Sequence, residues 1–301
     1  MPHSTPVRPL AFVVAVLLFV APACLASAFV RGAYYRLGDD DPGAVAGAVG
    51  NDPTRDSFTD ALHLARAGSP HYSADVPAYG PAGNKLSMAF ANIGLGGPAF
   101  PGSYGRATAL PTVEQGLALE AWVKAGPTNL EVPATPRNEL LAYNGDPATG
   151  GFGLFLHNGN YVARLGSSFE RTLGPADVGA WHHLAYVFSL GTSSYFYDGK
   201  QVGQSTTDPA PTVASADGFW LGARPDAASS AGATLYGFNG WLDEVRFQSF
   251  NPIAAGAFDP AQFLVVPEPM TPAALMLAAG VGVMLTRSGR RRAGRQLPES
   301  A

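Results

Sequence analysis

Cysteine is nearly missing. The 301 residues hold one, Cys24, close to the amino terminus. If the leader is removed the mature chain has no thiol. Disulfides, a zinc cluster of cysteines and thiol catalysis are then excluded. Charge is scarce as well, at 14%. Of the 19 basic residues, six lie outside 29–265: Arg8 and five arginines after 286. Of the 23 acidic residues, only Glu268 and Glu299 do, so the middle carries a net charge of about −8. That balance argues against nucleic acid as a partner. Sustained helical periodicity is missing too. The chain has 36 glycines and 26 prolines instead, which suits a turn-rich sandwich. Its length allows one large domain or two small ones.

Familiar catalytic patterns are also lacking. No glutamate is followed two residues later by aspartate, so the Glu-x-Asp-x-x-Glu arrangement that puts paired acids on one strand face is absent. There is no Gly-x-Ser-x-Gly elbow. Gly94-Leu95-Gly96-Gly97 is not followed by Lys-Ser/Thr, so it is no phosphate loop.

Long apolar runs occur only at the two ends. Residues 1–28 read as a secretory signal peptide: Arg8 in the n-region, an apolar stretch at 11–21, and a small-x-small cleavage site at Ala26-Ser27-Ala28. A retained anchor and a lipoprotein site at Cys24 are the alternatives. At the other end, Pro267-Glu268-Pro269 precedes an apolar segment, a transmembrane helix at about 270–286. Arg287, Arg290, Arg291, Arg292 and Arg295 follow and predict a cytoplasmic carboxyl end. This order resembles the PEP-CTERM sorting signal of exported bacterial proteins, over 266–295. The resemblance implies a membrane exosortase as partner, cleavage near the motif, and delivery to the surface or extracellular matrix of a bacterium that makes exopolysaccharide.

Between the ends the period is that of strands. The segment 181–203, WHHLAYVFSLGTSSYFYDGKQVG, predicts a strand at 182–188, a break at 189–193, a strand at 194–197 and the start of another. Asp198-Gly199 between the last two is a hairpin turn signal, as is Asn158-Gly159 between strands at 152–157 and 161–165. Other strands are expected at 30–37, 61–64, 85–93, 116–123, 140–143, 219–221 and 240–248, with a loop at 94–106. In 116–123, Leu117, Leu119, Ala121 and Val123 share one face. Period 2 also puts Trp241, Asp243, Val245 and Phe247 together, so Asp243 should lie near buried surface. A carboxylate there needs a partner, and arginine and calcium both serve. The turn Asp39-Asp40-Asp41 reads either as a solvated acidic turn or as calcium ligands.

The expected fold is an all-β, antiparallel two-sheet sandwich. Four segments carry a more specific likeness: Leu119-Glu120-Ala121-Trp122-Val123, Trp181-His182-His183-Leu184-Ala185-Tyr186-Val187, Tyr195-Phe196-Tyr197-Asp198-Gly199, and Gly237-Phe238-Asn239-Gly240-Trp241-Leu242-Asp243-Glu244-Val245-Arg246. In this order they resemble the signature of laminin-G-like domains of the concanavalin A-like lectin/glucanase superfamily. Phe196-Tyr197 departs from the usual aromatic-Val order. The resemblance implies a jelly-roll domain over 29–258, a linker at 259–265, and a structural calcium with Asp243 and Asp41 as ligands.

Three functions are weighed. Non-catalytic recognition of extracellular polysaccharide ranks first, with Trp122, Tyr186 and Tyr195 as candidate stacking rings or core residues. A structural or adhesive module binding matrix protein ranks second. A glycoside hydrolase ranks last, since the paired acids are lacking.

Overall fold

The computed structural model describes residues 29–91, 102–106, 108–110, 116–127, 138–146, 150–166, 169–213, 218–223 and 237–250. The cleavage residues Ala26 and Ala28, the Pro267-Glu268-Pro269 motif, segment 270–286 and Arg290, Arg291 and Arg292 lie outside them. The described residues form fifteen strands and no helix. Among them no helix is long and apolar enough to cross a membrane.

The strands make two antiparallel sheets. Sheet I runs β13 (Lys200–Ser205), β12 (Thr192–Tyr197), β11 (Trp181–Ser189), β6 (Gly116–Ala125), β15 (Asn239–Phe250), β4 (Ser87–Ala91), β3 (His71–Ser73), with β1 (Phe29–Tyr35) also pairing β15. Sheet II runs β10 (Phe169–Pro175), β9 (Asn160–Leu165), β8 (Gly150–His157), β7 (Asn138–Asp146), β14 (Phe219–Leu221), β5 (Gly102–Arg106), β2 (Ala65–Gly68).

Alternation makes the core. Leu117, Leu119, Ala121 and Val123 of β6 face inward as expected, beside Leu184, Tyr186 and Phe188 of β11. From sheet II come Phe152, Leu154 and Leu156 of β8 and Phe219 and Leu221 of β14. Rings interlock between the layers. Phe152 meets Tyr186 at 6.1 Å and Phe247 at 6.2 Å between centroids, and Tyr35 stacks on Phe219 at 5.9 Å. Each such ring contributes about 1.5–3 kcal/mol by leaving water.

Both Asx-Gly hairpins form as read. Asn158 and Gly159 sit at φ 50° and 76°, Asp198 and Gly199 at 49° and 72°. This is the mirror-image turn whose twist suits paired strands. The break after β11 is only Leu190-Gly191. Four strands escaped the sequence pattern: β3, β10, β2, which starts just past the strand expected at 61–64, where only Leu64 makes an isolated bridge to Thr54, and β5, which lies in the stretch read as loop.

One parity differs from expectation. Asp243 and Arg246 pair with Trp122 and Glu120 across a bulge in β15, and Glu244 there has φ 49°. The extra residue reverses the alternation. Leu242, Val245 and Phe247 point into the core, whereas Trp241 and Asp243 stand on the outer face of sheet I.

Candidate functional site

Asp243 is fully buried on that outer face. Its carboxylate accepts from Asn84 Nδ2 at 2.7 Å and from the Glu244 backbone N–H at 2.9 Å. Among the described residues no cation pairs with it. Burial, then the neighbouring Glu244 and Asp39, hold its pKa well above the usual carboxylate range. Asn84 Oδ1 is buried with no hydrogen-bond partner among the described residues. The arginine of the Asp-Glu-Val-Arg segment goes elsewhere: Arg246 pairs with Glu120.

The acidic turn divides its work. Asp41 is buried and accepts from Thr54 Oγ1 at 2.9 Å, the Arg55 backbone N–H at 2.8 Å and the Tyr72 hydroxyl at 2.7 Å. It pins the turn to β3. Asp39 is the member whose charge reaches Asp243. It accepts from the Lys85 and Leu86 backbone N–H groups at 3.0 and 3.1 Å and pairs with Arg36 at 2.9 Å. Arg36 also reaches Glu244, 3.4 Å away, which takes the Tyr34 hydroxyl as well. Burial still leaves the Glu244 pKa raised.

Among the described residues no three acidic or histidine side chains converge as a metal cluster. The local chemistry nonetheless fits one hard cation. A buried carboxylate without a counter-ion stands beside an orphaned amide oxygen, and calcium takes such mixed oxygen sets. Asp41, spent on three donors, is a poorer ligand than Asn84.

The aromatic candidates Trp122, Tyr186 and Tyr195 are all buried. Tyr186 and Tyr195 belong to the core between the sheets, where their rings stack at 5.5 Å. Trp122 packs edge-on against His183 at 5.4 Å on the outer face of sheet I. His183 hydrogen-bonds Glu120 at 2.9 Å, and His182 hydrogen-bonds Asp198 at 3.0 Å while stacking on Tyr197 at 4.8 Å. Both histidines therefore serve packing and hydrogen bonding.

A different aromatic is presented to solvent. On sheet II, Phe219 and Leu221 point into the core, so Trp220 between them points out, and it is half-buried. It lies in register with Gly105 on one side and Tyr143 on the other. A Cβ placed on Gly105 would come within 2.1 Å of the indole, and one on Gly218 within 2.4 Å. Two glycines thus let the ring lie against bare backbone, leaving its other face turned from the sheet. Tyr143 leans the opposite way over Gly153, whose Cβ would meet its ring at 2.4 Å. Its hydroxyl donates to the Gly166 carbonyl at 3.1 Å.

Beside these rings the outer face is packed: Leu140, Tyr143, Phe155 and Val162 form a buried cluster against which Trp220 rests. Gly218, Gly145, Gly151 and Gly166 form one continuous row, joined by Gly145 N–H to Gly218 O and Gly166 N–H to Gly151 O, each at 2.8 Å. Gly145 and Gly151 are buried; the Tyr143 ring lies against Gly151, where a Cβ would meet it at 2.8 Å, and the Trp220 indole covers Gly218. In the neighbouring Trp220–Tyr143–Gly153 row, Arg164 stands at one end, 4.1 Å over the Phe155 ring and paired with Glu170. Exposed Ala65 ends that same row at the other side, beyond Gly105. The result is a row of glycines on which the Tyr143 and Trp220 rings lie, the indole half-buried and facing outward. Strand alternation at 219–221 would have placed Trp220 outward. That Gly105, 115 residues earlier, supplies its bed is invisible in one sequence.

The glutamates have local duties. Glu170 is held by Arg164 and His157, Glu244 by Tyr34 and Arg36, Glu120 by His183 and Arg246, and Glu139 accepts from the Asn239 N–H at 3.0 Å.

Comparison with known proteins agrees with this architecture. A profile of laminin-G-like domains, described as the "Concanavalin A-like lectin/glucanases superfamily", matches residues 101–251. No curated protein sequence matches the chain. Among solved structures, domain 4 of AbnA, a GH43 extracellular arabinanase from Geobacillus stearothermophilus solved with arabinotriose, is similar with a TM-score of 0.50 at 16% identity. The match covers 74% of this chain and 95% of that one. The binding domain of botulinum neurotoxin serotype D/C is matched at a TM-score of 0.45 and 7% identity, over 74% of this chain and 50% of that one. For the binding domain of Paraclostridial Mosquitocidal Protein 1 the values are 0.46, 11%, 67% and 48%.

Proposed function

The chain belongs to the concanavalin A-like lectin/glucanase superfamily, and on that premise we propose that it is an exported, non-catalytic binding protein for extracellular polysaccharide. The observation that carries this is Trp220, half-buried, lying on Gly105 and Gly218 beside a strip of glycines. A pyranose or furanose ring offers axial C–H groups to such a π-face. The fold is a carbohydrate- and receptor-binding one, and the similar arabinanase domain was solved with arabinotriose. Every described glutamate is engaged locally, which supports binding rather than hydrolysis.

Calcium enters this reading as a structural ion. Asp243 and Asn84 would hold it, with Asp39 and Glu244 alongside. The ion would supply positive charge to a buried carboxylate that has no counter-ion. Its own chain positions these groups: Asn84 by the β3–β4 loop, Asp243 by the bulge at Glu244.

The two ends supply the address. The leader with Ala26 and Ala28 directs export. Pro267-Glu268-Pro269 and Arg290, Arg291 and Arg292 direct exosortase processing from a transient membrane anchor. The product then lies at the cell surface or in the matrix, where polysaccharide is the abundant partner.

Affinity electrophoresis of the full-length protein through gels holding soluble β-glucan, xylan or arabinan tests the reading, with and without EDTA. Retardation by one of these that Trp220→Ala weakens is the expected result. Retardation untouched by Trp220→Ala overturns the site. Mobility unchanged in every gel favours the adhesive, protein-binding alternative.

A further inference from the structure

The outer face of sheet I carries a second aromatic row. Trp181 and Trp241 both lie in register with Lys124, from opposite sides. They stand two strands apart, so their backbones are separated by roughly 10 Å, about the reach of two linked pyranose rings. Both indoles are half-buried. The row continues through Ala89 to His71, which is exposed at the sheet edge.

Asp75, from the loop after β3, sits among them. It accepts from Trp181 Nε1 at 2.9 Å and pairs with Lys124 Nζ at 2.5 Å. Burial pushes its pKa up, but the Lys124 ammonium and the Trp181 indole outweigh that and leave it lowered. Lys124 in turn lies 5.2 Å from the Trp241 ring centroid.

The plain explanation is a clamp that ties the β3–β4 loop to the sheet. It accounts for Trp181 and Lys124. It also uses the Trp241 ring, over which the Lys124 ammonium sits, but gives no role to the Trp241 indole N–H or to His71. Trp241 makes no indole hydrogen bond among the described residues and its ring is half-buried. His71 likewise makes no side-chain hydrogen bond there. A large aromatic on an outer sheet face, its N–H unused, beside a carboxylate with spare acceptor capacity, is equipped for a polyhydroxylated ligand.

We propose that this row is a second glycan-binding surface. It takes a neutral, extended polysaccharide strand through Trp241, Asp75, Trp181 and His71. Trp220 stands on the outer face of the other sheet, so the two surfaces point in opposite directions. One domain would then bridge two polysaccharide chains without oligomerising, and its avidity for a dense matrix would exceed that of either surface. The bridging rests on the Trp220 reading; the existence of the sheet I surface does not.

The test uses the full-length protein with a soluble glycan that it retards, chosen among β-glucan, xylan and arabinan. Light scattering reports cross-linking and affinity electrophoresis reports binding. Wild type is expected to cross-link. Trp220→Ala and Trp241→Ala should each still bind, with affinity reduced about tenfold (~1.4 kcal/mol), and neither should cross-link. His71→Ala, an exposed change that leaves the core untouched, should weaken cross-linking. In Trp220→Phe, glycan should still perturb tryptophan fluorescence. Cross-linking by Trp241→Ala and His71→Ala equal to wild type overturns the second surface and spares the first. Binding abolished by Trp241→Ala but untouched by Trp220→Ala overturns the Trp220 reading, and with it the bridging, while the sheet I surface stands. Binding abolished by Trp220→Ala alone overturns the second surface.

Discussion

Asn84 donates from one amide atom to Asp243 and leaves the other buried without a partner. The pair looks satisfied from the amide nitrogen and unsatisfied from the oxygen. A buried carboxylate with no cation costs several kcal/mol of desolvation, and an orphaned carbonyl a further 1–3 kcal/mol. Asp243→Asn removes the ionisable group whose charged form burial disfavours. Rotation of the Asn84 amide then lets its oxygen accept from the new amide. Without calcium, the variant should be at least as stable as wild type, with a Tm higher by roughly 2–4 °C per kcal/mol recovered. With calcium, wild type should gain stability and the variant should not. Melting curves in EDTA and in millimolar calcium check both halves. A wild-type Tm indifferent to calcium removes the ion from the account.

Gly105 allows a sharper test of the Trp220 surface than removing the ring. A methyl group there would press on the indole from 2.1 Å, so the ring must lift or turn. Gly105→Ala should lower glycan affinity about tenfold (~1.4 kcal/mol) with all four tryptophans retained. Equal affinity in Gly105→Ala and wild type would mean that the flat presentation of the ring is irrelevant. Far-ultraviolet circular dichroism monitors the sheet in both.

Asp56 organises the entry to β2. Its carboxylate accepts from the backbone N–H groups of Tyr34 at 3.0 Å, Phe58 at 3.0 Å, Thr59 at 3.3 Å and Leu62 at 3.3 Å, and from the Thr59 hydroxyl. Burial acts to raise its pKa, but these donors outweigh it and hold the value below the usual range. A lowered folded-state pKa means stability that is present above the unfolded value near 3.9 and lost as pH falls through the folded one. Asp56→Ala should cost about 2–4 kcal/mol at pH 7. The gap to wild type should narrow below about pH 4. Urea unfolding at pH 7 and pH 3.5 measures it.

What the sequence disclosed and what it hid follow from range. The inward set of β6 and both Asx-Gly hairpins were legible because strand alternation and mirror-image turns are local. The four signature segments placed the fold because they sit on β6, β11, β12 and β15, the middle of sheet I. The direction of Trp241 and Asp243 was not legible. It depends on one bulged residue, Glu244, that nothing in its neighbours announces. Strand β5 was hidden in a Gly/Pro-rich stretch because its outward position must be glycine to bed Trp220. Trp122, Tyr186 and Tyr195 looked available for stacking because aromatics suit strands wherever they face, and burial is decided only by packing. Asp39 and Asp41 could not be told apart in a run of three acids. Only the fold shows which one looks toward Asp243.

Glu120 lies at the centre of the outer face of sheet I, buried between His183 and Arg246. Its register partners across β11 and β15 are Ala185 and Arg246, so one carboxylate joins three strands. Surface ion pairs are worth little, but here the glutamate is 2% exposed and the histidine 1%. Glu120→Ala strands a buried imidazole and a partly buried guanidinium, and should cost about 3–5 kcal/mol. Glu120→Gln keeps one acceptor and the shape, and should cost less than half as much. Arg246→Ala alone exposes less, because Glu120 retains His183. If the network acts as one unit, Glu120→Ala with Arg246→Ala should cost less than the sum of the two single changes, by about 1–3 kcal/mol. Chemical denaturation of the four variants closes the cycle. Strict additivity would show that Glu120 and Arg246 stabilise the sheet independently, through His183 on one side and solvent on the other.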